Sequence, residues 1–176
     1  MRERHATLLD GTLFLIRPLH AADAALYPDF LKEVTAEDLR LRFFAAMREM
    51  APELIDKLVH YDPTRAMAFI AIEDNSGRML GVVRVHDDPA SQSAEFAILV
   101  RSRLKGQGLG WLMMKHMIAA AKEKGLKMVH GQVLTENHTM LIMSRELGFH
   151  VADDREARGV KLVVLPLDEV PAQALP

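Results

Sequence analysis

The chain has 176 residues, 49% hydrophobic and 26% charged, and its 22 basic and 24 acidic side chains leave a net charge of -2. That is enough core for one globular domain and is not a disordered composition, and so even a charge balance offers no electrostatic footprint for nucleic acid. The absence of cysteine excludes disulfides, thiolate nucleophiles and thiolate metal ligands.

The first apolar run, Thr12 to Arg17, predicts a strand closed by Pro18, which cannot donate to a sheet ladder. With only Leu13 to Ile16 apolar, this start is far too short for a secretory signal or membrane span, so a soluble, cytoplasmic protein is expected. Helical spacing follows at Ala25, Leu26, Phe30, Leu31 and Val34, with Pro28 expected to kink or split a helix over Ala21 to Val34. Thr35-Ala-Glu-Asp38 resembles a capping box opening a second helix through Phe44, and Pro52 opens a third over Glu53 to His60. The period then changes. Met67 to Ile72, Leu80 to His86 and Ala94 to Val100 read as strands of an antiparallel meander, joined by the turn Asn75-Ser-Gly77 and a polar loop over Asp87 to Ser93. A long amphipathic helix runs from Gly108 to Lys124, with Gly125 as its terminator. Met128 to Leu134 is a strand, Asn137 to Leu147 a helix stopped by Gly148, and Gly159 to Leu165 a last strand; the tail LDEVPAQALP is expected to be loose. The crossover through the long helix requires a parallel pair. The expected fold is therefore α/β (α+β), a mixed and mostly antiparallel sheet flanked by helices, in a single domain over residues 1–176.

The junction before the long helix is the most informative stretch. Lys105-Gly106-Gln107-Gly108-Leu109-Gly110 spaces glycines at alternate positions between a strand and a helix N-terminus. Glycines let a ligand approach the main chain, and amides at the positive end of a helix favour phosphate. A tight turn that binds nothing has the same spacing. Neither a P-loop nor a dinucleotide fingerprint fits: the first pattern is absent, and the second meets Trp111 where glycine is needed. On the preceding strand, alternation puts Glu95, Ala97 and Leu99 on one face and Phe96, Ile98 and Val100 on the other. Glu95 is thus expected at the margin of an apolar environment, where desolvation raises a carboxyl group toward the range of a general base. An ion pair with Arg84 is an equally good reading of the same pattern.

RLKGQGLGWLMM is similar to the R/Q-x-x-G-x-G/A signature of the GNAT acetyltransferases, and Asn137-His-Thr-Met140 … Ser144 … Gly148-Phe149 resembles their second signature. IRPLHAADAALYPDFLKEVTAEDLRLRFF, AMAFIAI, GVVRVHDDPASQSAEFAILV and ENHTMLIMSRELGF extend the likeness to the GNAT domain of bacterial Pat-type protein lysine acetyltransferases, in several of which that domain is fused to an acyl-CoA-synthetase-like region. The resemblance implies acetyl-CoA as cofactor, held where the fourth predicted strand meets the following helix. Lys105, Gly106, Gln107, Gly108, Leu109, Gly110 and Trp111 would lie at the pyrophosphate, the backbone of Ile98, Leu99 and Val100 along the pantetheine arm, and Asn137 at the cofactor or a nearby water. It implies a protein lysine as acceptor, in the known target class the active-site lysine of an acyl-CoA synthetase, and tips Glu95 toward general base. Ser144 stands where many of these enzymes carry a tyrosine acid, so that role is open. A small-amine acetyltransferase and a non-catalytic acyl-CoA sensor are the competing readings.

The remaining features read as structural. The eight histidines lack ligand spacing, so no metal is expected; His86 is nearest to the predicted site, most simply in a solvated loop. Asn137 is also a natural helix cap. Met113, Met114, Met117, Met140 and Met143 fall at core spacing, and Trp111 is expected to pack on the sheet. Leu39, Leu41, Phe43 and Phe44 suit either core or an acceptor groove.

Overall fold

The computed structural model describes residues 3–45, 50–88 and 90–170. One eight-stranded sheet runs in the order β1-β2-β3-β4-β5-β6-β8-β7. Its strands are β1 (Arg4–Thr7), β2 (Leu13–Pro18), β3 (Ala66–Glu73), β4 (Met79–Asp88), β5 (Ser93–Val100), β6 (Met128–Leu134), β7 (His150–Asp153) and β8 (Val160–Pro166). All neighbours are antiparallel except β5 and β6. The meander and the parallel crossover thus stand as expected.

Period-two alternation gives the sheet two apolar faces. Met67, Phe69 and Ala71 of β3 join Phe14, Ile16, Val83 and Val85 under the helices α4 (Leu109–Glu123) and α5 (His138–Glu146). Ala68 and Ile70 turn the other way with Val82 and Leu99, against α1 (Tyr27–Lys32), α2 (Ala36–Phe43) and α3 (Pro52–Val59). Burial of each such side chain contributes about 1.5–3 kcal/mol before entropy is counted. Met113, Met114 and Met117 are fully buried in the first cluster, filling the core as their spacing implies.

Pro28 splits the first helical stretch. Residues Ala21–Leu26 form a 3₁₀ turn, and the α-helix starts at Tyr27 with Pro28 in its first turn, where a missing N–H costs nothing. Two strands escape the sequence pattern. β1 and β7 are four residues each, lie at the two sheet edges and carry polar residues, so neither shows an apolar run. β4 continues through Asp87 and Asp88, which pair with Ala94 and Ser93; the predicted loop is correspondingly shorter, and its Pro89 lies outside the described residues. The tail is tied at its start, where Leu167 is buried and its amide bonds the Lys127 carbonyl at 2.8 Å. Residues beyond 170 lie outside the described residues. Among those described, no helix is long and apolar enough to cross a membrane.

Candidate active site

The site begins where β5 and β6 part. They pair only over Ser93–Glu95 and Met128–His130. The next residue, Phe96, lays its ring against Gly131, where a Cβ would stand 2.7 Å from the ring, and packs edge-on to Phe149 at 5.4 Å. From Phe96 to Val100 the edge of β5 that faces β6 has no strand partner among the described residues. Such an edge offers backbone N–H and C=O groups to an extended ligand. Between the parted strands lies a cavity of about 890 Å³, lined by Glu95, Ile98, Leu99, Val100, Lys105, Gly106, Gly108, Gly110, Trp111 and Asn137.

At the far end of β5 the chain makes a nest. Gly106 and Gly108 adopt φ of +79° and +87°, and nothing lies within 4 Å of the Cβ that another residue would add. This left-handed path suits glycine alone. The amides of Gly106, Gly108, Leu109, Gly110 and Trp111 meet no acceptor among the described residues, as expected of the first turn of a helix. Behind them stands the positive end of the 15-residue α4. The side chains of Gln107 and Leu109 do not line the cavity. Leu109 is fully buried and lends its amide only, while the Gln107 amide bonds the Leu104 carbonyl at 3.1 Å and its own carbonyl takes the Leu9 amide at 3.3 Å. Gln107 therefore braces the nest from outside.

Lys105 is not a free point charge. It forms an ion pair with Asp38 of α2, which also accepts from the Ser102 hydroxyl. Burial works against the ionised form of Asp38, but Lys105 and Ser102 hold its carboxyl below the usual range. Only half of the predicted capping box forms: the Thr35 hydroxyl accepts the Asp38 amide at 3.2 Å, but the Asp38 carboxylate is spent on the nest side. The start of α2 is in this way tied to the glycine loop.

Glu95 is the last β5 residue paired with β6, and its side chain is exposed at the apex of the split. The low-dielectric setting expected for it is therefore absent: the apolar neighbours lie further along the strand, inside the cleft. The alternative ion pair with Arg84 is also absent among the described residues. Arg84 pairs with Ala97 in the sheet register and gives Nη2 to the Leu58 carbonyl at 2.5 Å. The cross-strand neighbour of Glu95 is His86, which sits on β4 rather than in a loop and lines the cavity.

Asn137 is a helix cap that also lies on the cavity wall; its Oδ1 caps α5 by accepting the Met140 amide at 3.2 Å. Ser144 is fully buried and gives its hydroxyl to the Met140 carbonyl at 2.8 Å, so it faces the helix and not the cleft. It cannot serve as the acid. Trp111 does not pack on the sheet; it is 38% exposed at the cavity rim with Lys115 4.5 Å above its ring. Leu39 belongs to the core, whereas Leu41, Phe43 and Phe44 line the cavity. Sequence reasoning missed Arg42 in this wall and gave Arg84 the wrong role. The meander register was the available signal for Arg84, since it puts Arg84 on the face of Glu95. Among the described residues no cluster of three or more histidine, aspartate or glutamate side chains could hold a metal ion.

An unpaired strand edge running from an exposed carboxylate to a nest of free amides suits acyl transfer to an amine from a long, phosphate-bearing carrier, the class of the N-acetyltransferases. The family model described as acetyltransferase (GNAT) domain matches residues 14–150, and the chain belongs to that family. It is an acetyltransferase, and the family uses acetyl-CoA. The acetyltransferase PA5475 of Pseudomonas aeruginosa is 29% identical over 145 residues, 81% of this chain and 78% of that protein. In fold the chain resembles the crystal structure of the GNAT domain of S. lividans PAT, with a TM-score of 0.85 at 23% identity over 93% of this chain and 96% of that one. It also resembles RimL, a ribosomal L7/L12 alpha-N-protein acetyltransferase in complex with coenzyme A, with a TM-score of 0.73 at 14% identity over 88% and 94%. The GNAT resemblance read from the sequence holds.

Proposed function

We propose that the chain moves an acetyl group from acetyl-CoA to a lysine side-chain amine of a protein, with Glu95 as general base. The observation that carries this reading is the place of Glu95, exposed at the apex where β5 and β6 part and the cavity opens. The free amides of the nest fit a pyrophosphate, and the open edge at Ile98, Leu99 and Val100 fits an amide-bearing arm. When bound, the thioester supplies an electrophilic acetyl carbon. A lysine ammonium has a pKa of about 10.4 and is no nucleophile until it loses a proton. Glu95 takes that proton, directly or through one water. A free amide of the β5 edge donates to the carbonyl oxygen as negative charge grows there. A C–N bond would form as the C–S bond breaks; the amine's second proton would pass to water, which returns one to the departing thiolate, since Ser144 is turned away.

The protein-lysine part rests on the Pat-type sequence stretches, above all IRPLHAADAALYPDFLKEVTAEDLRLRFF, which build α1 and α2. An acyl-CoA synthetase is accordingly the first acceptor to try. The test is thiol release from acetyl-CoA with such a synthetase, set against polyamines and amino acids, with the acetylated residue located by mass spectrometry. Release that depends on the protein and marks one lysine supports the reading. Faster release with a small amine points to a small-molecule enzyme, and tight acetyl-CoA binding without any release points to a sensor.

A further inference from the structure

We propose that the acceptor lysine is recognised together with a carboxylate side chain close to it on the same polypeptide, gripped by Arg42 and Arg84 next to Glu95. The inference rests on the protein-lysine reading above and deepens it. Arg42, near the end of α2, and Arg84, on β4, both line the cavity with half-buried side chains. Arg17, Arg40, Arg78, Arg101 and Arg103 each meet a carboxylate. Arg42 and Arg84 meet none among the described residues, and Arg84 has only the Leu58 carbonyl. Burial, and next the charge of Arg84, push Arg42 down to about 10. The Tyr27 hydroxyl, within the field of both arginines, is buried and has no hydrogen-bond partner among the described residues. Tyr27 lies behind the cavity and not in its lining; the two arginines alone give this wall donors in excess.

The acids in the same cavity do not balance them. Asp38 is committed to Lys105, Glu146 lies on α5, and Glu95, whose charge reaches Arg42, makes no ion pair with either arginine. Half-buried guanidiniums without a hydrogen-bonded carboxylate are costly, and their planar forks match a carboxylate with two hydrogen bonds. A carboxylate there would sit beside the amine that Glu95 deprotonates. The exposed ring of Phe44 on the same rim offers an apolar surface for a polypeptide flank, which a free amino acid would leave uncovered.

The test uses peptides with one central lysine, flanked by Asp or Glu, by Asn or Gln, or by Lys and Arg. Charge-assisted hydrogen bonds to a desolvated carboxylate predict a kcat/KM ratio of acidic to neutral peptide of about 10 to 100 in wild type, carried mainly by KM. In Arg42→Gln and Arg84→Gln that ratio falls toward one, and Arg84→Glu shifts preference toward basic flanks. Acetyl-CoA binding by calorimetry verifies that each variant is folded. Acetylation of acidic and neutral peptides with equal kcat/KM by the wild-type protein overturns the inference and leaves the protein-lysine reading intact. Turnover of small amines and of no peptide overturns both. Arginine-dependent acetylation of a free amino acid, in preference to every peptide, also overturns the inference, because the carboxylate would then be the small substrate's own.

Discussion

Gly131 is a position where one methyl group should be felt. Its Cβ would meet three carbons of the Phe96 ring at 2.7, 3.0 and 3.1 Å. Carbon contacts are comfortable from about 3.5 Å, so the ring must retreat by about 0.8 Å. It has nowhere easy to go, because Phe96 is 7% exposed and packs edge-on to Phe149, itself 4% exposed. Overpacking of this kind costs about 1–3 kcal/mol. Alanine returns about 0.5–1 kcal/mol of unfolded-state entropy in a strand. Gly131→Ala should therefore lose about 1–2 kcal/mol, a fall in Tm of about 2–8 °C for a chain of this size. Thermal unfolding followed by near-ultraviolet circular dichroism measures it. In a Phe96→Ala background the same Gly131→Ala change should be neutral or slightly stabilising, because the clash has gone. An unchanged or raised Tm in the wild-type background would refute the packing at the split. So would equal losses in both backgrounds.

Three other outcomes follow from the site and its supports. Gly108→Ala meets no steric obstacle but must hold φ of +87°, so it should lose about 1–2 kcal/mol in Tm measurements and raise the KM for acetyl-CoA, its Cβ intruding on the nest. Asn137→Ala removes the α5 cap and should cost about 1 kcal/mol, read as a Tm fall of about 2–4 °C. Asp29 is held at about 2 by Arg101 and Arg78, and Glu33 at about 2, chiefly by Arg103. Both carboxyls are depressed in the folded state, so their stabilisation is full above the usual carboxylate range and is lost as pH falls from about 4.5 toward 2. Tm measured across that window should fall steeply in wild type and less steeply in Arg101→Met/Arg103→Met.

Much of this molecule is legible in its sequence because the elements with long apolar periods are also those that place the site. The alternation at Glu95 to Val100, the glycine spacing at 106, 108 and 110, and the crossover through α4 all stand. Short polar edge strands such as β1 and β7 carry no such period, since one side of each faces solvent and four residues show no pattern. The charged groups were harder for a different reason. Lys105 pairs with Asp38 across 67 positions of sequence, and Arg42 and Arg84 converge from α2 and β4; such partners are set by tertiary packing. The strand neighbours of Glu95 point to the margin of an apolar environment, but its place at the apex of a split, where solvent enters, depends on where β6 turns aside. Ser144 matched a motif position while its hydroxyl was claimed by the carbonyl one helical turn back.

The most direct test of the account is the pH dependence of acetyl transfer to one lysine peptide by wild type and by Glu95→Gln, with saturating acetyl-CoA. Loss of a positioned base should lower kcat/KM at neutral pH by about 100- to 10,000-fold. The remaining rate should climb steadily with pH, because only the spontaneously deprotonated amine, with its pKa of about 10.4, can then react. Acetyl-CoA binding should be retained. A variant that matches wild type in rate and pH profile would contradict the assignment of Glu95 and with it the mechanism proposed for this site.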